Sequence, residues 1–202
     1  MTTAPDYEAA GRRSRTKGEA RRRQILDSAI ELFAERGVDA ASLRSIGEAI
    51  GVSHTALRHY FASRDELLVE VYRAHEASTS EGIRDVESDP VRAMAATAER
   101  NRSIPGLVQL YTTLTTDAIQ EQHPQTQGFV RERFRSLRGA IAGQIKDGQE
   151  AGTIAAGLPP EDVAALIIAA SDGLQIQWLL DPEAVDVGRV LSLLEQLLPP
   201  HP

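Results

Sequence analysis

Hydrophobic positions recur at helical spacing along nearly the whole chain, and no stretch shows a convincing two-residue alternation of a strand. Ile25, Leu26, Ala29, Ile30 and Phe33 line one face of a helix over residues 21–36, which Gly37 stops. Leu43, Ile46 and Ile50 line a shorter second helix with Ser42 as its cap and Gly51 as its end. Val52 and Ser53 turn the chain, and Ser53 caps a third helix from His54 to Phe61. Ser63-Arg64-Asp65-Glu66 reads as a capping box opening a fourth helix that continues through Leu67, Leu68 and Val71. Proline and glycine punctuate the remainder. Ser88-Asp89-Pro90 opens a helix through Arg102, and Ile104-Pro105-Gly106 opens one through Gln120. His123-Pro124 precedes a run from Thr126 to Glu150 that Gly152 ends. Leu158-Pro159-Pro160 begins a helix from Glu161 to Leu180, closed by Asp181-Pro182, and Asp186 to Leu198 is the last. The pattern predicts an all-α protein of nine helices with no internal repeat.

The second and third helices carry the chemistry. At about 100° per residue, Leu57 and Phe61 share the side that faces the core, while Thr55 and His59 point away, flanked by Ala56 and Arg58. A core stripe backed by small and hydrogen-bonding groups suits a helix lying in a major groove. An ordinary surface helix pair satisfies the same pattern.

The flanking helices extend the pattern. RRRQILDSAIELFAERGVDAASLRSIGEAIGVSHTALRHYFASRDELL resembles the N-terminal domain of the TetR family of transcriptional regulators, over about residues 19–79. ILDSAIELFAERG matches its first helix, SLRSIGEAIGVS the second with its turn, TALRHYF the recognition helix and SRDELL the fourth. The resemblance implies a helix-turn-helix over 42–61 in which Ser42 offers its N–H and hydroxyl to a phosphate and Arg44 pairs with the same strand. It implies base edges near Ser53, Thr55, Ala56 and His59, with His54 in the same DNA-facing set. Tyr60 and Arg64 are expected on the sugar-phosphate backbone. Arg58 departs from the family, which usually carries an aromatic there, and could reach a guanine or a phosphate.

Charge fits this once it is divided. The net charge of the 202 residues is −7. Residues 1–80 hold equal numbers of basic and acidic side chains, so the whole deficit lies in 81–202. Arg12, Arg13, Arg15, Lys17, Arg21, Arg22 and Arg23 are opposed by Glu19 alone, a cationic patch on an acidic body. Residues 1–18 have almost no large apolar side chains and are expected to be disordered, either as a solubilising tail or as an arginine arm for a minor groove. Three parts result: the basic tail 1–18, a DNA-binding head 19–79, and a C-terminal domain 80–202 for effector binding and dimerisation.

Other classes find little support. Without cysteine there are no disulfides or thiolate metal sites. No signal peptide is evident, and the longest apolar run, Val163 to Ala170, is too short to span a bilayer, so a soluble cytoplasmic protein without membrane contact is expected. Gly51-Val52-Ser53-His54-Thr55 lacks the second glycine of a nucleophile elbow. His54 and His59 are five apart and diverge on a helix, and His75, His123 and His201 read as solvated. No phosphate-binding glycine loop occurs, so no enzyme, cofactor or metal is expected.

The last two helices are unusually apolar. VAALIIAASDGLQIQWLL is hydrophobic nearly all round, which fits either a buried central helix or an interface. The resemblance implies the interface, since the family dimerises through its last two helices. Ala165, Ala169, Gly173, Leu191, Leu194 and Leu198 are the candidates, and a homodimer implies a roughly palindromic double-stranded DNA operator. It also implies a small-molecule effector held inside the C-terminal domain. Met94, Tyr111, Leu114, Phe129, Phe134 and Trp178 are candidate walls; Thr115, Gln175 and His123 are candidate polar anchors, though each also fits ordinary core or surface. An aromatic content of 4% argues against a cage for flat cationic drugs. The expected function is a repressor released from its operator by a ligand. The alternatives are an activator or multi-target regulator on the same scaffold, or a helical small-molecule binder with an inactive head.

Overall fold

Punctuation read from the sequence sets the helices observed. The computed structural model describes residues 5–38, 42–80 and 89–197. Leu198, His201 and the side chains of Arg12, Arg13 and Arg15 lie outside that description. The elements are α1 (Pro5–Arg36), α2 (Leu43–Ala49), α3 (His54–Tyr60), α4 (Arg64–Ser80), α5 (Pro90–Ser103), α6 (Leu107–Ala118), α7 (Pro124–Glu150), α8 (Pro160–Leu180), α9 (Val187–Leu191) and α10 (Leu193–Leu197). Among the described residues there is no strand. The ninth expected helix is present in two pieces, because α9 and α10 are parted at Ser192, whose hydroxyl donates to the Arg189 carbonyl at 2.9 Å. Asp89 caps α5 by accepting from the Val91 and Arg92 N–H groups, and Asp186 caps α9 by accepting from Arg189. Pro90, Pro124 and Pro160 stand in the first turns of α5, α7 and α8, where a missing N–H is harmless.

Two observations bear on the expected division of the chain. Residues 5–18 are helical rather than disordered: α1 runs unbroken from Pro5. Its alanines, arginines and glutamates favour helix, and a helix already fixed by the packing of its C-terminal half propagates at little cost. The boundary near residue 79 divides the chain but not the core. Ile25 and Phe33 of α1, Ile46 of α2, Leu57 of α3, Phe61, and Leu67 and Tyr72 of α4 share one cluster with Leu107, Leu110 and Leu114 of α6. Each of those is at most 1% exposed, and each such leucine contributes about 1.5–3 kcal/mol. A second cluster joins α5, α7, α8 and α9 through Val91, Ile145, Ala164, Ile167 and Val187. The reading head is thus built on α6, and α7 and α8 pack beyond it.

Candidate DNA-reading face and interior cavity

The reading helix is held at both ends. The Ser53 hydroxyl accepts the Ala56 N–H at 3.1 Å, and Leu57 and Phe61 are fully buried beneath it. Above Phe61 lies the Arg22 guanidinium of α1, 5.0 Å from the ring centre and 2.6 Å from Glu70 of α4. Ser53, His54, Thr55, Arg58 and His59 are exposed, and Ala56 and Tyr60 half-buried. Tyr60 packs on the head core with its ring tilted against Phe61. Among the described residues no carboxylate pairs with Arg58 or with His59, so this face presents donors without an acidic neighbour of its own.

Two phosphate contacts expected from the sequence are otherwise engaged. The Ser42 hydroxyl oxygen accepts the Ser45 N–H at 3.0 Å, and the Ser42 N–H donates to the Ser45 hydroxyl at 2.8 Å, a capping box with serine in both places. Arg64 does not stand free beside the groove. It donates to the Val38 carbonyl at 3.2 Å and pairs with Asp117 at the end of α6 at 3.4 Å. Arg44 does remain exposed, its pair with Glu48 lying in solvent, where such pairs are weak and easily exchanged.

The chain just past α3 is fastened to the body. Ser63 donates to Gln125 at 2.6 Å, and Asp65 lies 2.9 Å from Nδ1 of His123, which is therefore partly buried rather than solvated. Glu66 accepts from the Ala62 N–H rather than from Ser63, one residue earlier than a standard capping box. His75 is also partly buried, and burial lowers its pKa against the opposing charge of Asp27.

Between α4, α5 and α7 lies a partly open cavity of about 250 Å³. Its walls include Pro90, Ala93, Met94, Leu137 and Ile141, with Glu76, Arg133, Asn101 and Gln144 as polar groups. A smaller niche of about 20 Å³ shares Met94, Asn101 and Arg133, and adds Tyr72, Tyr111, Asp172 and Gln175. Of the candidate walls and anchors, Met94 lines both spaces, and Tyr111 and Gln175 line the niche. Five others line neither. Leu114 is in the head core, and the Thr115 hydroxyl bonds the carbonyls of Tyr111 and Thr112 in its own helix. Phe129 meets Tyr72 edge-on and lies under Arg73, Phe134 packs between the two cores, and Trp178 lies under Arg102.

Arg133 dominates this interior and was not singled out from the sequence. Its Nη1 donates to Glu76, and the guanidinium carbon lies 5.2 Å from the Tyr72 ring centre and 5.1 Å from that of Tyr111. The two rings stack at 5.3 Å, and the Tyr111 hydroxyl donates to Asp172 at 3.3 Å. Burial pushes the Asp172 carboxyl up to about 6, although Arg133 and the Tyr111 hydroxyl favour its charged form. The folded-state pKa lies above the ordinary 3.8, so this group's contribution to stability is full below about pH 4 and is lost as pH rises through 6. Asp172→Asn should therefore be more stable than wild type at pH 7.5 by about 1–3 kcal/mol, the gap closing towards pH 4. Urea unfolding of both proteins at the two pH values measures it, and a gap that ignores pH would assign the carboxylate no such strain.

The outer face of α8 bears on assembly. Leu166, Ile176 and Leu180 are 55%, 43% and 82% exposed, with Ala165 and Ala169 on the same side. Of the expected interface residues, Leu191 is corrected, being fully buried in the second core, and Leu194 packs partly against that core. By length and composition α8 could cross a membrane, contrary to the reading of its shorter apolar run, but it turns Ser171 and Gln175 into the body.

These features define a helix-turn-helix regulator with a helical body, and comparison with known proteins agrees. The family model "Bacterial regulatory proteins, tetR family" matches residues 25–71, and "BetI-type transcriptional repressor, C-terminal" matches 118–199. The transcriptional regulator TtgR of Pseudomonas putida is 27% identical over 190 residues, covering 87% of this chain and 88% of its own. A transcriptional regulator from Rhodococcus sp. Rha1 superposes with a TM-score of 0.72 at 21% identity, over 88% of this chain and 95% of that one. A Saccharomonospora viridis regulator in complex with choline gives 0.70 at 21% identity, over 89% and 95%. The chain belongs to the TetR family of transcriptional regulators.

Proposed function

We propose that this protein is a homodimeric cytoplasmic repressor that grips a roughly palindromic operator with two α3 helices and lets go when a small molecule fills the cavity between α4, α5 and α7. The observation that carries the reading is the exposed face Ser53, His54, Thr55, Arg58 and His59 on a helix capped, buried and fastened from behind. Those groups suit base edges, and two such helices related by a two-fold axis meet successive major grooves about 34–36 Å apart. The cavity touches α4 through Glu76, and α4 follows directly on the reading helix, so an occupant has a short path to the DNA face. A similar fold that holds choline supports a small organic effector.

Fluorescence anisotropy with the DNA upstream of the protein's own gene, against a scrambled duplex at several salt concentrations, tests this. His59→Ala is expected to lose about 1–3 kcal/mol of specific affinity and little of the non-specific. Arg44→Ala should weaken both duplexes alike and flatten the salt dependence. Equal losses on both duplexes for His59→Ala would remove it from base reading.

A further inference from the structure

We infer that the cavity takes a small amphiphilic carboxylic acid, whose carboxylate displaces Glu76 from Arg133 while its apolar part lies against Pro90, Met94, Leu137 and Ile141. This rests on the effector reading above and names the chemistry of the ligand. Three observations carry it. First, the site's own cation is already seated on the aromatic faces, since Arg133 lies against both Tyr72 and Tyr111. A cationic ligand would have to evict it, whereas an anion uses it. Second, Arg133 is incompletely satisfied: its Nε is buried with no hydrogen-bond partner among the described residues, and a charged donor left so is costly. A carboxylate offers two oxygens to the planar guanidinium and can meet two of its N–H groups together. Third, the rest of the wall is mostly apolar, with the Asn101 and Gln144 amides able to donate to a carboxylate. The volume is below the usual range for drug-sized ligands, roughly 300–1,000 Å³, so the acid is small.

An incoming anion meets Asp172 nearby, reached through Arg133 of α7, the Tyr111 hydroxyl of α6 and, on α4, Tyr72 and Glu76. Protonating Asp172 relieves the added repulsion, and its carboxyl is already half-way there near pH 6. Acid binding should therefore tighten as pH falls from 7.5 to 6, and binding of a cation should do the reverse.

Calorimetric titration of the full chain with octanoate, octanamide and octyltrimethylammonium tests the inference. Octanoate is expected to bind at least about tenfold tighter than octanamide, the advantage of a charge-assisted pair. Arg133→Met should erase the difference between acid and amide. Glu76→Gln removes the competing charge and should tighten octanoate several-fold without tightening the amide. Equal affinities for acid and amide, preference for the ammonium, or no gain in Glu76→Gln would each overturn the inference. DNA anisotropy in the presence of each compound separates this from the effector reading. Octanoate that binds without releasing DNA leaves the ligand class standing and removes the effector role. Release by the amide or the ammonium alone keeps the effector role and removes the acid.

Discussion

Gly47→Ala should destabilise the protein by about 2–3 kcal/mol and abolish DNA binding, although alanine is the better helix former. Inside an exposed helix the same change would stabilise by roughly 0.5–1 kcal/mol, so the sign of the effect is itself the test. A Cβ on Gly47 would stand 2.5 Å from the Val52 carbonyl oxygen and 3.1 Å from a Leu57 methyl. Neither neighbour can yield cheaply. The Val52 N–H is bonded to the Gly47 carbonyl at 2.8 Å, which closes the turn, and Leu57 is fully buried. Relief requires α2 and α3 to part, and that opens Ile46, Val52 and Leu57 together. Because the head shares its core with α6, the loss should appear in the global urea transition rather than as local fraying. Specific and scrambled duplexes should be lost together, unlike the selective loss expected of His59→Ala. Wild-type stability in Gly47→Ala would mean that the two helices do not approach this closely.

How much of this was legible in the chain depends on how local each feature is. Helix ends were legible because caps and breakers act within three or four residues: Ser42, Ser53, Asp89 and Asp186 cap as their chemistry demands, and Gly51 ends α2 at φ 68°. The outward face of α3 was legible for the same reason, since Leu57 and Phe61 fix its rotation. Partners distant in sequence were not. Nothing near Arg64 distinguishes an arginine bound for a phosphate from one bound to Asp117, 53 residues on. Large apolar residues read equally as cavity walls or core, and Leu114 and Phe134 fill cores, as such residues must when most of every amphipathic helix is packed. The interior charges were hidden unequally. Arg133 is one of several arginines in RERFRSLR and looks like surface. Asp172 did leave a signal: a carboxylate in the middle of VAALIIAASDGL has to find a partner if that helix is buried. Its partners are Tyr111 and Arg133.

Leu166→Glu combined with Ile176→Glu should give a folded monomer whose affinity for operator DNA falls at least about a hundredfold. Both side chains stand on the outer face of α8, 55% and 43% exposed, so the protomer's own cores lose little when they change. In the proposed dimer each substituted position occurs twice across the two-fold axis, and an unpaired buried charge costs several kcal/mol. The small residues Ala165 and Ala169 beside them would let a partner helix approach closely in the proposed dimer, where added bulk and charge would be doubly unfavourable. A monomer keeps one reading helix, with its caps and its fastening at Asp65 and His123 intact, and so keeps non-specific, salt-sensitive binding. What it loses is the second half-site, which a two-fold protein engages at almost no further entropic cost. Sedimentation velocity gives the assembly state, circular dichroism the fold, and anisotropy the affinity on one duplex. A variant that stays dimeric would move the interface away from α8. A monomer with undiminished operator affinity would keep the interface and break its link to DNA recognition.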